Sequence, residues 1–265
     1  KKVIMHVREP LAKGFLGVRR SFIRKQIADN CDRVIAISQD NASRVNLPEK
    51  CTVVYNFSDF DKFNLQAKPL IDRENGYFYL LYMGGSKKFK GYELLVKSLK
   101  HIDQNVKLIL AGNYKRMEKK GLLVDFKRFL NRVMNRVPDF EQVVHDPRVI
   151  YVGLTTEVPE LIQSSNAVVF PATKTHFPRP LIEGMAMKKL ALSFDMEGIS
   201  EVIKEGENGM LIRDKRSKAL ASGINKMAAL TSEQYHEMSE NAYRFATSNF
   251  SLRNIEKITS IYDEI

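Results

Sequence analysis

The chain has 265 residues, 44% apolar and 28% charged, a globular composition that excludes a disordered, collagenous or coiled-coil protein. Lys and Arg number 42 against 31 Asp and Glu, and the net charge of +11 points to an anionic partner: nucleic acid, a phosphorylated ligand or a membrane surface. Two cysteines, Cys31 and Cys51, make no disulfide framework and favour a reducing, cytoplasmic setting, and no apolar run approaches the roughly 20 residues that span a bilayer.

In chain order, the first residues are basic and then briefly apolar, too short for a signal peptide and like the middle of a strand. Continuous apolar or β-branched runs predict strands at 3–7, 33–37, 52–55, 78–83, 106–111, 149–152, 167–170, 190–194 and 210–212. Helical patterns fall at 92–102, 116–137, 157–164, 180–187 and 199–205, and then without further strands at 217–230, 232–247 and 251–265. This alternation predicts an α/β fold with doubly wound parallel sheets. The polar stretch 65–75 reads as a linker between an N-terminal unit, 1–64, and a C-terminal unit, 76–247, with 248–265 a terminal helix packing back toward the N-terminal unit. Three strands are few for the first unit, which reads as part of a domain or as an extension of a sheet supplied elsewhere.

Two stretches carry candidate chemistry. Residues 83–91 follow a strand and open a helix: Gly84, Gly85 and Gly91 allow close backbone approach, and Ser86, Lys87, Lys88 and Lys90 surround it. The recipe suits a diphosphate, without the order of a P-loop; an ordinary turn with solvated lysines reads equally well. Residues 170–186 end a strand, form a polar loop and restart a helix at Pro180, which puts Glu183 in the first helical turn. There a carboxylate is common for dipole reasons alone. Asp59-Phe60-Asp61 has metal-ligand spacing but reads as a turn, and no metal is expected. The basic, periodically apolar segment 115–136 reads as a surface helix or as a lipid-docking one, which would make the protein peripheral on the cytoplasmic membrane face.

Together these stretches resemble the retaining glycosyltransferases of family 4, which have the two-Rossmann GT-B fold. The family's G-R-x-x-x-x-K-G loop corresponds to Gly84–Gly91, with Lys90 matching and Gly85 in place of Arg. The strand ending in Gly near the base site corresponds to 149–154, with Gly153 and Leu154 at its end. The E-G-F-x-x-x-x-x-E motif corresponds to 175–183, with Thr175 and His176 in place of Glu and Gly. Residues 195–209 resemble the family's G-G-x-x-E-x-x-x-x-G-x-x-G run, and 32–38 with 53–57 resemble the end of its acceptor domain.

The resemblance implies a Rossmann-like donor domain after a partial Rossmann-like acceptor domain whose earlier half lies outside the chain. It implies Lys90 and Glu183 as central residues, the latter on the nucleotide ribose. Gly84, Gly85, Ser86, Lys88, Gly153, Leu154, Thr175, His176, Phe177, Pro178, Arg179 and Leu181 would line the nucleotide-sugar site. A family histidine near the reaction centre maps to His6, which otherwise reads as a structural residue at a strand end. The implied reaction moves a sugar from a nucleotide-diphosphate donor to a glycan or lipid-linked acceptor with retention. It needs no metal cofactor and no enzyme nucleophile, the leaving phosphate helping to deprotonate the acceptor. A nucleotide-sugar-binding module inactive without its partner half is the alternative. A nucleic-acid-binding protein is a weaker one, since no nucleic-acid motif is present.

Overall fold

The computed structural model describes residues 1–11, 17–114, 140–175 and 177–265. The expected helix at 116–137, and with it the basic segment 115–136 up to Arg136, lies outside the described residues, as does His176.

Nine described strands form two wholly parallel sheets. β1 (Ile4–Val7), β2 (Arg33–Ala36) and β3 (Cys51–Val53) make a three-stranded sheet in that order. β4 (Phe78–Tyr82), β5 (Val106–Ala111), β6 (Val149–Gly153), β7 (Ala167–Val169), β8 (Leu190–Phe194) and β9 (Gly209–Ile212) make a six-stranded sheet in the order β6-β5-β4-β7-β8-β9. Chain order reverses between β4 and β7, the switch point at which an open α/β sheet leaves a crevice beyond its strand ends.

The continuous apolar runs are explained by burial on both faces. Leu80, Leu108, Leu110 and Leu192 face one core, completed by the helices Tyr92–Ser98 and Ser217–Ala228. Leu81, Ile109, Val168 and Ala191 face the other, completed by Arg179–Ala186 and Ser232–Asn249. The last of these starts with a capping box, in which the Thr231 hydroxyl accepts from the Gln234 N–H and the Gln234 side chain accepts from the Thr231 N–H.

The chain crosses between the sheets twice, along 54–77 and again at 250–253. The final helix, Asn254–Asp263, thereby leaves the large sheet and packs Ile261 with Ile35 and Val54 of the small one. The two crossings are bonded to each other: Ser58 N–H donates to the Phe250 carbonyl (3.0 Å) and the Asn254 amide donates to the Tyr55 carbonyl (3.2 Å).

One sequence expectation is corrected, and two helices are added. Residues 199–205 are successive turns, not a helix. Ile199, Val202 and Ile203 are buried at helical spacing, but the Asn208 side chain takes the Lys204 N–H (2.7 Å) that would continue the spiral. Two helices in the small unit, Val18–Asn30 and Gln39–Val45, carry too little apolar periodicity to be read from sequence: the first buries only Ile27.

Candidate active site

The carboxyl ends of both sheets open onto one cleft of about 530 Å³. Arg8 and Glu9 follow β1, Ile37 follows β2 and Asn56 lies just beyond β3; Lys90 comes from the turn after β4, and Phe170, Phe177, Arg179, Pro180 and Glu183 come from the segment after β7. Three cations, Arg8, Lys90 and Arg179, thus share the cleft with two carboxylates, Glu9 and Glu183.

The turn after β4 is built from beneath. The Tyr82 hydroxyl donates to the Gly85 carbonyl (3.0 Å), and Ser86 N–H donates to the Asn113 carbonyl (3.2 Å). Gly84 lies so close over the Tyr82 ring that no side chain fits there. At Gly91 (φ 85°), any Cβ would collide with the Pro171 carbonyl oxygen, so glycine is needed both for conformation and for space. The Thr173 N–H also donates to the Phe89 carbonyl (2.9 Å), so the segments after β4 and β7 are tied across the switch point. Lys90 projects between them with its ammonium 6.0 Å from the Phe170 ring centroid. Burial first, and then Lys87 and Arg179, hold that ammonium below the usual lysine range.

Glu183 is the fifth residue of the helix Arg179–Ala186, which starts one residue earlier than expected, so Glu183 falls just past the first turn, which holds no acidic residue. Dipole compensation therefore does not account for Glu183. Its Oε1 accepts from the Ser58 hydroxyl (3.2 Å), and burial raises its carboxyl, partly offset by Ser58, Arg179 and Lys62.

Beyond Phe177 the cleft narrows to a recess lined by Arg8, Glu9, Asp40, Asn41, Thr175 and Gly198. Its far side is clasped. Glu201 accepts from Gln39 N–H (2.7 Å) and Asp40 N–H (2.9 Å), and Arg44 bonds both Asp40 and Glu197. A carboxylate from the large unit thus serves the first turn of a helix in the small one.

The structure brings Lys90, Phe177, Arg179 and Glu183 together in the cleft, places Thr175 in the adjoining recess, and sets Gly84, Gly85 and Ser86 in the turn after β4. Gly153 ends β6, with Leu154 fully in solvent beside it (76% exposed). Pro178 caps the helix that carries Glu183. His6 is not brought to the cleft: it is an exposed β1 residue whose Nε2 lies 3.0 Å from the Tyr262 hydroxyl of the final helix. Lys88 is also turned away, facing Glu93 at 4.0 Å. Leu181 is fully buried in the core and does not line the cleft. Arg8, Glu9 and Ser58 escaped sequence reading, and Asn56 and Glu201, though inside stretches that resemble the family, were given no role. Arg8 and Glu9 directly follow a strand whose carboxyl end faces the cleft, and Asn56 comes three residues after another, a signal that favours Arg8 and Glu9 over His6.

Comparison with known proteins fits this geometry. The chain is 23% identical over 253 residues to an uncharacterised glycosyltransferase of Methanocaldococcus jannaschii, MJ1178, covering 94% of this chain and 64% of that protein. It is 24% identical over 261 residues to the capsular polysaccharide biosynthesis glycosyltransferase CapM of Staphylococcus aureus, covering 91% and 64%. The chain therefore spans about 64% of the length of these curated relatives. The crystal structure of Anabaena Alr3699/HepE in complex with UDP superposes with a TM-score of 0.79 at 18% identity, over 100% of this chain and 73% of that one, and the shared fold is of GT-B type. Residues 77–229 match the family described as glycosyl transferases group 1, and the chain belongs to that family.

Proposed function

We propose that the protein is a retaining glycosyltransferase that takes a nucleotide-diphosphate sugar as donor and a glycan or lipid-linked glycan as acceptor. One observation carries the reading: Lys90, Arg179 and Glu183 meet at the switch point, in a cleft closed by the strand ends of the second sheet. In this reading Lys90 and Arg179 hold the diphosphate and Glu183 accepts from the ribose hydroxyls. The leaving diphosphate develops charge as the anomeric bond breaks, and cations fixed beforehand in a partly dry cleft stabilise it without reorganisation. These cations serve in place of a metal. Arg8, Glu9 and Asn56 form the wall nearest the acceptor.

HepE is described in complex with UDP, which makes a uridine donor the first to test. CapM is named for capsular polysaccharide biosynthesis, which supports a surface-glycan acceptor. No described helix is long and apolar enough to cross a membrane; a lipid-linked acceptor would be met by peripheral contact from the cytoplasmic side. Calorimetry of nucleoside diphosphates tests the site. A charge-assisted contact is worth about 1.5–3 kcal/mol, so Lys90→Ala should weaken nucleoside-diphosphate binding roughly ten- to hundredfold. Unchanged affinity would remove Lys90 from the site.

A further inference from the structure

Ser58 belongs to neither motif that drew attention in the sequence, yet it is buried at the junction of both units (7% exposed). Its N–H is fixed to the Phe250 carbonyl and its hydroxyl donates to Glu183 Oε1. Its loop is further held by Asn254 on the Tyr55 carbonyl, while Tyr55 packs edge-on against Phe250 and face-on against Phe177 of the cleft wall. Ser58 therefore has little freedom, and neither does the carboxylate oxygen it holds.

We propose that Ser58 is the positioning residue for the ribose-binding carboxylate, holding Glu183 in the orientation that accepts two vicinal hydroxyls. An ionised carboxylate offers about four acceptor positions. Ser58 occupies one of them, which leaves Oε2 and the second lone pair of Oε1 for a diol. Because Ser58 stands on the crossing from the small sheet, the grip on ribose depends on both units although Glu183 lies in one. The inference rests on the assignment of Glu183 to ribose. The charged groups around Glu183 are Arg179 on its own helix, Lys62 on the crossing, Lys90 beyond β4, and Arg8 and Glu9 beyond β1. The Ser58 hydroxyl, like Arg179 and Lys62, favours the ionised carboxylate against the effect of burial.

The test compares UDP with 2′,3′-dideoxyuridine diphosphate by calorimetry on the wild type, Glu183→Gln, Ser58→Ala and Ser58→Thr. The expected wild-type preference for the ribonucleotide is at least tenfold, and Glu183→Gln should abolish it. Ser58→Ala should cut it three- to tenfold while leaving dideoxynucleotide affinity unchanged, and Ser58→Thr should restore it. The preference retained by Ser58→Ala should also need higher pH, because the carboxyl has lost a donor that favours its ionised form. If Ser58→Ala keeps the full preference, or loses affinity equally for both nucleotides, Ser58 does not position Glu183. If Glu183→Gln keeps the preference as well, or the wild type binds none of UDP, GDP and ADP, the ribose assignment fails first.

Discussion

All five residues of β4 in the large sheet are buried, whereas β1 in the small sheet buries one of its four, Val7. The large sheet has an extensive core on each face. The small one has Val7, Ile27, Val34 and Val45 on one face and Ile35, Val54 and the borrowed Ile261 on the other. Buried apolar area is the main source of stability, so the large unit supports itself and the small unit leans on the final helix. The same contrast appears at the cleft: the large unit supplies a tied, glycine-shaped turn, and the small unit supplies strand-end residues whose position depends on how it is held.

The largest expected effect comes from Gly91→Ala. The left-handed conformation alone costs about 1–2 kcal/mol for a side-chain-bearing residue, and the collision with Pro171 forces the two tied segments apart. Thermal unfolding should show a loss well above that figure, with nucleoside-diphosphate binding gone. A variant of normal stability and affinity would mean that the switch point is not tightly built.

Ile261→Ala comes next, at about 2–4 kcal/mol for a buried Ile reduced to Ala. Hydrogen exchange should place the loss in the small sheet and leave β4 and β5 as protected as before. Spread evenly over both sheets, the loss would show that they unfold together and that the asymmetry has no thermodynamic content.

Lys189, 7% exposed at the start of β8, is the large unit's own liability. Burial, with Arg73 nearby, pushes its ammonium down to about 8. Between that value and the ordinary one the unfolded chain binds more protons, so stability rises with pH across roughly 8 to 10.5 and the full cost is present below 8. At about 1.4 kcal/mol per pKa unit, Lys189→Met should stabilise the protein by up to about 3.5 kcal/mol at pH 7, less what is lost with the Nζ contact to the Gln163 carbonyl. That advantage should shrink toward pH 10.5 in denaturation series at several pH values.

The smallest effect belongs to Glu201→Ala. Loss of a side-chain acceptor at a helix start costs about 0.5–2 kcal/mol, but small-angle scattering should report a larger radius of gyration as the clasp on Gln39 and Asp40 is lost. Unchanged dimensions would leave the angle between the units to the two crossings alone.

The large unit was legible because its strands are buried on both faces and read as unbroken apolar runs; β5 and β8 occupy the predicted residues. The helices of the small unit were not, because Gln39–Val45 owes its start to the Ser38 hydroxyl and to Glu201, 161 residues away from Asp40. The turns at 199–205 misled for the converse reason: their buried residues have helical spacing, and a side chain from 208 ends the spiral. In the cleft, Lys90 and Glu183 stand out by motif, whereas Arg8, Glu9 and Ser58 acquire meaning only once two sheets point their strand ends at each other.

The paired crossings at 54–77 and 250–253 have a mechanical consequence. A single covalent connection would leave two bodies free to swing, twist and roll, but two connections bonded side by side remove most of that freedom. The clasp of Glu201 on Gln39 and Asp40 adds a third tie, away from the crossings. Lys90 and Arg8 stand on opposite walls of the cleft that these ties hold together. Ser58, on the first crossing, carries this tie directly to Glu183 in the wall of the cleft.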